Sequence, residues 1–300
     1  MTDPMAQLRR PRVAIGMPVF NGGATLAPAI DSLVHQTFRD FTLIISDNAS
    51  TDYTQSVCER FANVDPRIEY VRQHNNIGAE ANFNFVLQHA NADYFMWAAA
   101  DDSRSPDFLG LCVAFLDEHP DYAAANCPTR YTGGLPDPIA MADYSLDDED
   151  LNTNIINVFH LSGRLRLNSR FYSLFRREHL SFWLSEPKAY LGSDWSLIIR
   201  TLHRGKFKRL DAGYTDIGRH GASKQLDIFK SYRSRFIHWF IPFLDLSRFA
   251  RRALIQPSRQ QKIELLRRLF YLNTRIFKRQ LMYEIKLLLN VFLSKSKPNS

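Results

Sequence analysis

Cysteine is scarce in this chain: Cys58, Cys112 and Cys127 are the only three among 300 residues. An odd number without metal-ligand spacing excludes a disulfide scaffold and a cysteine zinc site, and the three read as core thiols of a reducing cytoplasm. No G-x-G-x-x-G occurs, which removes dinucleotide oxidoreductases. No uninterrupted apolar run reaches the roughly 18 residues of a spanning helix. The first residues, MTDPMAQLRRPR, carry no apolar segment, so no secretory signal is expected and a cytoplasmic location is. Glycine stops at Gly221, and charge changes near the same place. Residues 228–300 hold sixteen Lys and Arg against three acids, a net of +13, whereas the whole chain is +7. The rest is therefore −6, and the basic character belongs to the tail.

What is present is an alternation. Val13 to Phe20 is a buried-strand pattern that stops at Asn21-Gly22-Gly23, and a helix follows through Leu26, Ile30 and Leu33, with Thr25 expected as its cap. Phe41 to Ile45 is a second strand, followed by the polar turn Ser46 to Asp52 and a helix through Val57 and Phe61. A third strand, Ile68 to Val71, precedes the turn Asn75-Asn76-Ile77-Gly78 and a helix to about Ala90. A fourth apolar run from Tyr94 delivers Asp101 and Asp102 to a strand end, and Ser105-Pro106 reads as an N-cap and first helical residue. Strand and helix in turn predict an α/β fold, a mostly parallel sheet flanked by helices. In such sheets ligands bind outside the carboxyl ends of the strands, where the polar clusters Pro18 to Asn21, Asp47 to Asp52 and Asp101-Asp102 all fall. Two adjacent carboxylates in a fixed turn suit a hard divalent ion carrying phosphate oxygens. These clusters are acidic, which argues against nucleic acid as the partner.

The segments MPVFNGGATL, QTFRDFTLIISDNASTD, NNIGAEANFNFVL, WAAADDSRSPDFL, GSDWSLIIRTLHRGKFKRL and GRHGAS occur in this order across roughly residues 12 to 225. In that order they resemble the inverting family 2 glycosyltransferases, which have the GT-A fold and use nucleotide-diphosphate sugars. The resemblance implies a catalytic domain over residues 1–225, and the change in composition sets off a basic amphipathic helical tail over 226–300. It implies that Pro18, Val19 and Asn21 line the nucleotide pocket, with a Pro-Asn-Gly turn as the plain alternative. Asp47 matches the acid that accepts the ring N–H of the base, although a turn aspartate would look the same. Asp52 fits a helix cap in either case.

Asp102 matches the metal ligand of the family's D-x-D-like motif, for Mg²⁺ or Mn²⁺, and Asp101 the acid nearer the ribose. The departure is that Ala99 stands where many members carry a first acid. Asp194, in Ser193-Asp194-Trp195, matches the catalytic base, with an N-terminal helix charge as the alternative. Arg219 and His220, in GRHGAS, match residues that approach diphosphate or metal, and Arg176 is a further candidate contact for phosphate or acceptor. A uridine diphosphate sugar is the favoured donor, and a glycan or lipid-linked glycan the expected acceptor. A non-catalytic sugar-nucleotide-binding or scaffold protein of the same fold is the alternative function. Residues 143 to 150, rich in Asp, are expected to be a mobile loop on the acceptor side. Ile263 to Leu293 repeats apolar residues at helical spacing among cations. Such a tail suits an anionic inner-leaflet surface, packing on the catalytic domain, or a homo-oligomer.

Overall fold

The first strand is apolar along its whole length because both of its faces are covered. β1 (Val13–Val19) pairs in parallel with β2 (Phe41–Asp47) on one side and β4 (Tyr94–Trp97) on the other, and nearly every residue of the three is buried. A continuous hydrophobic run is the signature of such a central parallel strand. The computed structural model describes residues 10–132, 139–140, 144–160, 169–185, 190–218 and 232–295, with side chains to 287.

These residues fall into two compact units: one of Met1–Asp147, Asn168–Lys188 and Arg200–Gly221, the other of Asp148–Leu167, Ala189–Ile199 and Ala222–Ser300. In the first, α1 (Gly23–Val34), α2 (Thr54–Ala62), β3 (Ile68–Arg72), α3 (Ala79–His89), β5 (Ser103–Arg104), α4 (Phe108–Glu118), β6 (Tyr122–Asn126), β7 (Thr129–Tyr131) and β8 (Ile139–Ala140) follow the chain. β9 (Leu174–Arg176), β10 (Lys206–Arg209) and β11 (Thr215–Asp216) complete it. The main sheet has the order β10-β6-β9-β4-β1-β2-β3, and a smaller one runs β5-β11-β7-β8. In the main sheet only β9 runs antiparallel to its neighbours. The expected α/β sheet with flanking helices is therefore present.

The end of β4 is held by aromatic packing. Trp97 stacks on Phe171 at 4.7 Å and meets Phe95 edge-on at 4.8 Å, while its Nε1 donates to the Phe83 carbonyl at 3.1 Å. Each such ring pair contributes about 1 kcal/mol beyond its buried area. Together they fix the point from which the chain climbs to Asp101 and Asp102.

Two helix starts differ from the sequence expectation. α1 begins at Gly23 rather than after Thr25, because its first N–H groups are satisfied from another loop: Gly22 donates to Thr54 Oγ1 and Gly23 to Asp52 Oδ2, each at 3.0 Å. α4 begins at Phe108, since Ser105 Oγ is used to accept from the Tyr214 N–H at 2.9 Å. Cys58, Cys112 and Cys127 are fully buried thiols, and burial pushes Cys58 up to about 12.

The second unit contains α5 (Leu151–Val158), the start of α6 (Ser193–Leu202), α7 (Leu244–Ala253) and α8 (Arg259–Lys295). Asp150 caps α5 by accepting from the N–H groups of Asn152 and Thr153. In the first unit Leu146 is fully buried and exchanges backbone hydrogen bonds with Phe207. Residues 144–150 are thus structured, which corrects the expectation of a mobile loop. The tail helices are tied to α5: Asn152 exchanges two hydrogen bonds with the Ile255 backbone, and Arg268 donates to the Ile156 carbonyl at 2.9 Å. Leu265, Leu269, Leu272 and Ile276 form the buried stripe of α8. No helix among the described residues is long and apolar enough to cross a membrane.

Candidate functional site

Register brings three strand ends into one row. Val19 pairs with Asp47, and Asp47 with Arg72, so the last residues of β1, β2 and β3 stand side by side. The loops beyond them are knotted together: Asn21 N–H donates to Ser50 Oγ at 2.9 Å, and Asn21 Oδ1 accepts from the Thr51 N–H at 2.8 Å. Asn21 and Ala49 both have left-handed backbones, with φ of 50° and 58°. Asparagine tolerates that region, whereas for alanine it costs about 1 kcal/mol. Pro18, half-buried, and buried Val19 lie at the end of β1, with Asn21 exposed beyond them.

Asp47 is completely buried. Its Oδ1 accepts from the Ser50 N–H at 2.9 Å, and its Oδ2 from Tyr70 Oη at 3.0 Å and Arg72 Nη1 at 2.5 Å. The carboxylate is therefore committed to shaping the turn and to holding Arg72, whose side chain remains 35% exposed. Burial first, and then the hydrogen bond to Asp47, pushes the Tyr70 hydroxyl well up. Arg72 Nη2 donates in turn to the Ser50 carbonyl at 2.9 Å, so the guanidinium is the partly exposed edge of this cluster. Asp47→Ala should destabilise the chain by about 2 kcal/mol in chemical denaturation, because Tyr70, Ser50 and Arg72 all lose their acceptor. Asp52, by contrast, is a brace between α1 and α2. Burial acts to raise its carboxyl, but hydrogen bonds from Thr54 and Gly23 outweigh it and hold it below the usual range.

Asp101 and Asp102 follow β4. Asp102 is 5% exposed, and its Oδ1 accepts from the Gly218 N–H at 2.9 Å. Gly218 approaches so closely that a Cβ placed there would lie 1.9 Å from the Asp101 carbonyl oxygen. That contact is with backbone, so it cannot be relieved by a side-chain rotation. Gly218→Ala should therefore push the chain off the Asp101-Asp102 turn, costing about 1–3 kcal/mol of stability and weakening any metal-dependent nucleotide binding, as thermal melts with and without ligand would read. Arg219 and His220 follow directly and lie outside the described residues.

Beside this turn Arg104 is buried, its Nε and Nη1 without hydrogen-bond partners and its guanidinium over the Phe108 ring at 5.3 Å. Burial pushes this guanidinium down and the Asp102 charge opposes that shift. Among the described residues no group of three or more His, Cys, Asp or Glu is placed to hold a metal ion. Two adjacent carboxylates at a strand end are too few for a protein cage. They fit Mg²⁺ or Mn²⁺ taking most of its ligands from diphosphate and water.

In the second unit, Asp194 lies in the first turn of α6 and is half-buried. The turn ahead of it needs glycine: Gly192 has φ +89°, and a Cβ there would meet Leu246 at 2.6 Å and Phe243 at 3.0 Å. Trp195 is flanked by Phe159 at 5.5 Å and Phe243 at 6.0 Å, and the Phe243 N–H donates to Asn273 Oδ1 at 2.8 Å. Tail residues thus support the turn that carries Asp194.

Arg176 is corrected. Its Nε donates to the Tyr122 carbonyl and its Nη2 to those of Leu116 and His119, so it satisfies the carboxyl end of α4 rather than a ligand. Arg72 was missed by the sequence reading; the only signal was a cation closing the strand pattern next to the second polar turn.

The family model described as Glycosyl transferase family 2 matches residues 14–182. The chain is 25% identical over 171 residues to the GalNAc(5)-diNAcBac-PP-undecaprenol beta-1,3-glucosyltransferase of Campylobacter jejuni, covering 57% of this chain and 53% of that protein. It spans about half or less of the length of the first curated relatives it matches. Among solved structures, S. aureus TarS in complex with UDP-GlcNAc superposes with a TM-score of 0.62 at 17% identity, over 87% of this chain and 73% of that one. The mannosyltransferase PcManGT from Pyrobaculum calidifontis, in complex with GDP-Man and Mn²⁺, gives 0.59 at 16% identity, over 97% and 82%. At such identities the likeness is one of fold, and the fold is that of the GT-A enzymes.

Proposed function

We propose, from the premise that this chain belongs to glycosyl transferase family 2, that it moves a sugar with inversion from a nucleoside diphosphate to an acceptor hydroxyl. The observation that carries the reading is the row Val19–Asp47–Arg72 at three strand ends, with Asp101 and Asp102 at the end of the next strand. A uridine diphosphate sugar is the favoured donor, and the TarS complex with UDP-GlcNAc supports that choice. Pro18, Val19 and Asn21 flank the nucleotide. Asp47 acts on the base edge by fixing Arg72, and Asp101 faces the ribose.

Asp102 holds Mg²⁺ or Mn²⁺, with His220 and Arg219 assigned to metal and diphosphate on sequence grounds; the PcManGT complex with Mn²⁺ supports the ion. The bound ion would supply positive charge to the departing diphosphate. Asp194 removes the acceptor's proton as the hydroxyl attacks the anomeric carbon opposite the nucleotide. The acceptor is a glycan or lipid-linked glycan, a reading supported by the undecaprenol-linked substrate in the Campylobacter enzyme's name. A thermal-shift panel of nucleotide sugars tests the donor site. Stabilisation by uridine diphosphate sugars that depends on Mn²⁺ is expected, and no response to any nucleotide sugar would refute the reading.

A further inference from the structure

The tail carries a second apolar stripe that its packing does not use. On α8 the buried stripe Leu265, Leu269, Leu272 and Ile276 faces the second unit's core. At helical spacing on an adjoining, exposed side stand Ile263, Leu266 and Phe270, which are 50%, 49% and 73% exposed. Ile255, just before the helix, is exposed as well. An ordinary surface helix keeps polar residues on that side.

Next to the stripe lies a cleft of about 430 Å³ between α7 and α8, lined by Arg248, Arg251, Arg252 and Lys262 with Leu254 and Leu266 among its apolar members. No acid lines it. Arg248 is paired with Asp245 at 3.6 Å, whereas Arg251, Arg252 and Lys262 are exposed and have no acidic partner among the described residues. The tail's acids are already engaged: Asp245 also faces His238, Glu264 binds Arg267 and Arg268, and Glu284 binds Arg233. The cations in the cleft are therefore surplus charge beside exposed hydrocarbon.

We infer that α7 and α8 form a docking surface for an anionic phospholipid bilayer, with lipid phosphates in the Arg251–Arg252–Lys262 cleft and Ile263, Leu266 and Phe270 in the acyl boundary. The charge pattern selects this occupant. A protein partner for the stripe alone would not require unpaired cations beside it, and a free phosphate would not require the stripe. This inference stands apart from the sugar-transfer reading, since it uses none of the donor-site residues.

The test is co-sedimentation of the intact chain with vesicles of phosphatidylcholine, with or without phosphatidylglycerol. Binding only to the anionic vesicles, and release by high salt, is expected. The triple variant Arg251→Glu, Arg252→Glu, Lys262→Glu should bind about a hundredfold more weakly. Phe270→Ser should also weaken binding while leaving its salt dependence in place. All four positions are exposed, and circular dichroism will show that the variants remain folded. Equal binding by parent and triple variant, or no binding by the parent, overturns the inference. So does displacement by inorganic phosphate well beyond that by chloride at the same ionic strength, which would mark a free-phosphate site. A dimer dispersed by Phe270→Ser, with no vesicle binding, would assign the stripe to a second copy and overturn it too.

Discussion

Asp194→Asn should reduce sugar transfer by about a hundredfold or more while leaving nucleotide-sugar affinity and melting temperature near those of the parent. Asparagine keeps the size and much of the hydrogen-bonding capacity of aspartate, but it cannot take a proton from a hydroxyl. The turn is also set by the packing of Gly192, Trp195, Phe243 and Leu246, which the variant leaves in place. If Asp194 served only as a negative charge near the start of α6, its removal would cost about 0.3–1 kcal/mol of stability and turnover would persist. Kinetics alongside calorimetric donor binding separates the two roles. Retained turnover in the variant removes the base assignment.

Asp102→Asn should abolish Mn²⁺-dependent nucleotide binding and with it transfer, while the chain stays folded. An amide at this position still accepts the Gly218 N–H that now bonds Oδ1, so the loop contact survives. What is lost is the anionic oxygen that a hard cation needs. The expected pattern is a parent whose nucleotide affinity falls sharply on chelation and a variant whose weak affinity ignores the chelator. A parent that turns over at full rate in chelator would remove the metal from the mechanism.

Much of the sheet was legible because apolar runs and polar turns alternate without ambiguity. β1, β2, β3 and β4 fall where the hydrophobic period placed them, and the polar clusters lie at their carboxyl ends. Other features depend on residues far apart in sequence. Thr25 looked like a cap only because Asp52, which bonds the Gly23 N–H, is 29 residues away. Arg72 gained meaning only once register set it beside Asp47. Gly218 reads as a loop glycine until its approach to the Asp101 backbone is seen. The tail's basic charge was plain, but its bonds to α5 through Asn152 and Arg268 were not. Hydrogen bonds across more than a hundred residues leave no periodic trace.

The donor site is tested most directly by a crystal structure of the intact chain soaked with UDP and Mn²⁺, with the ion located by anomalous scattering. The assignment of Asp102 to the ion and of the strand-end row to the nucleotide requires an anomalous peak at the Asp102 carboxylate, the ribose beside Asp101, and the uracil against Arg72 and the Asn21 loop. A nucleotide bound elsewhere, or a Mn²⁺ peak away from Asp102, would contradict it.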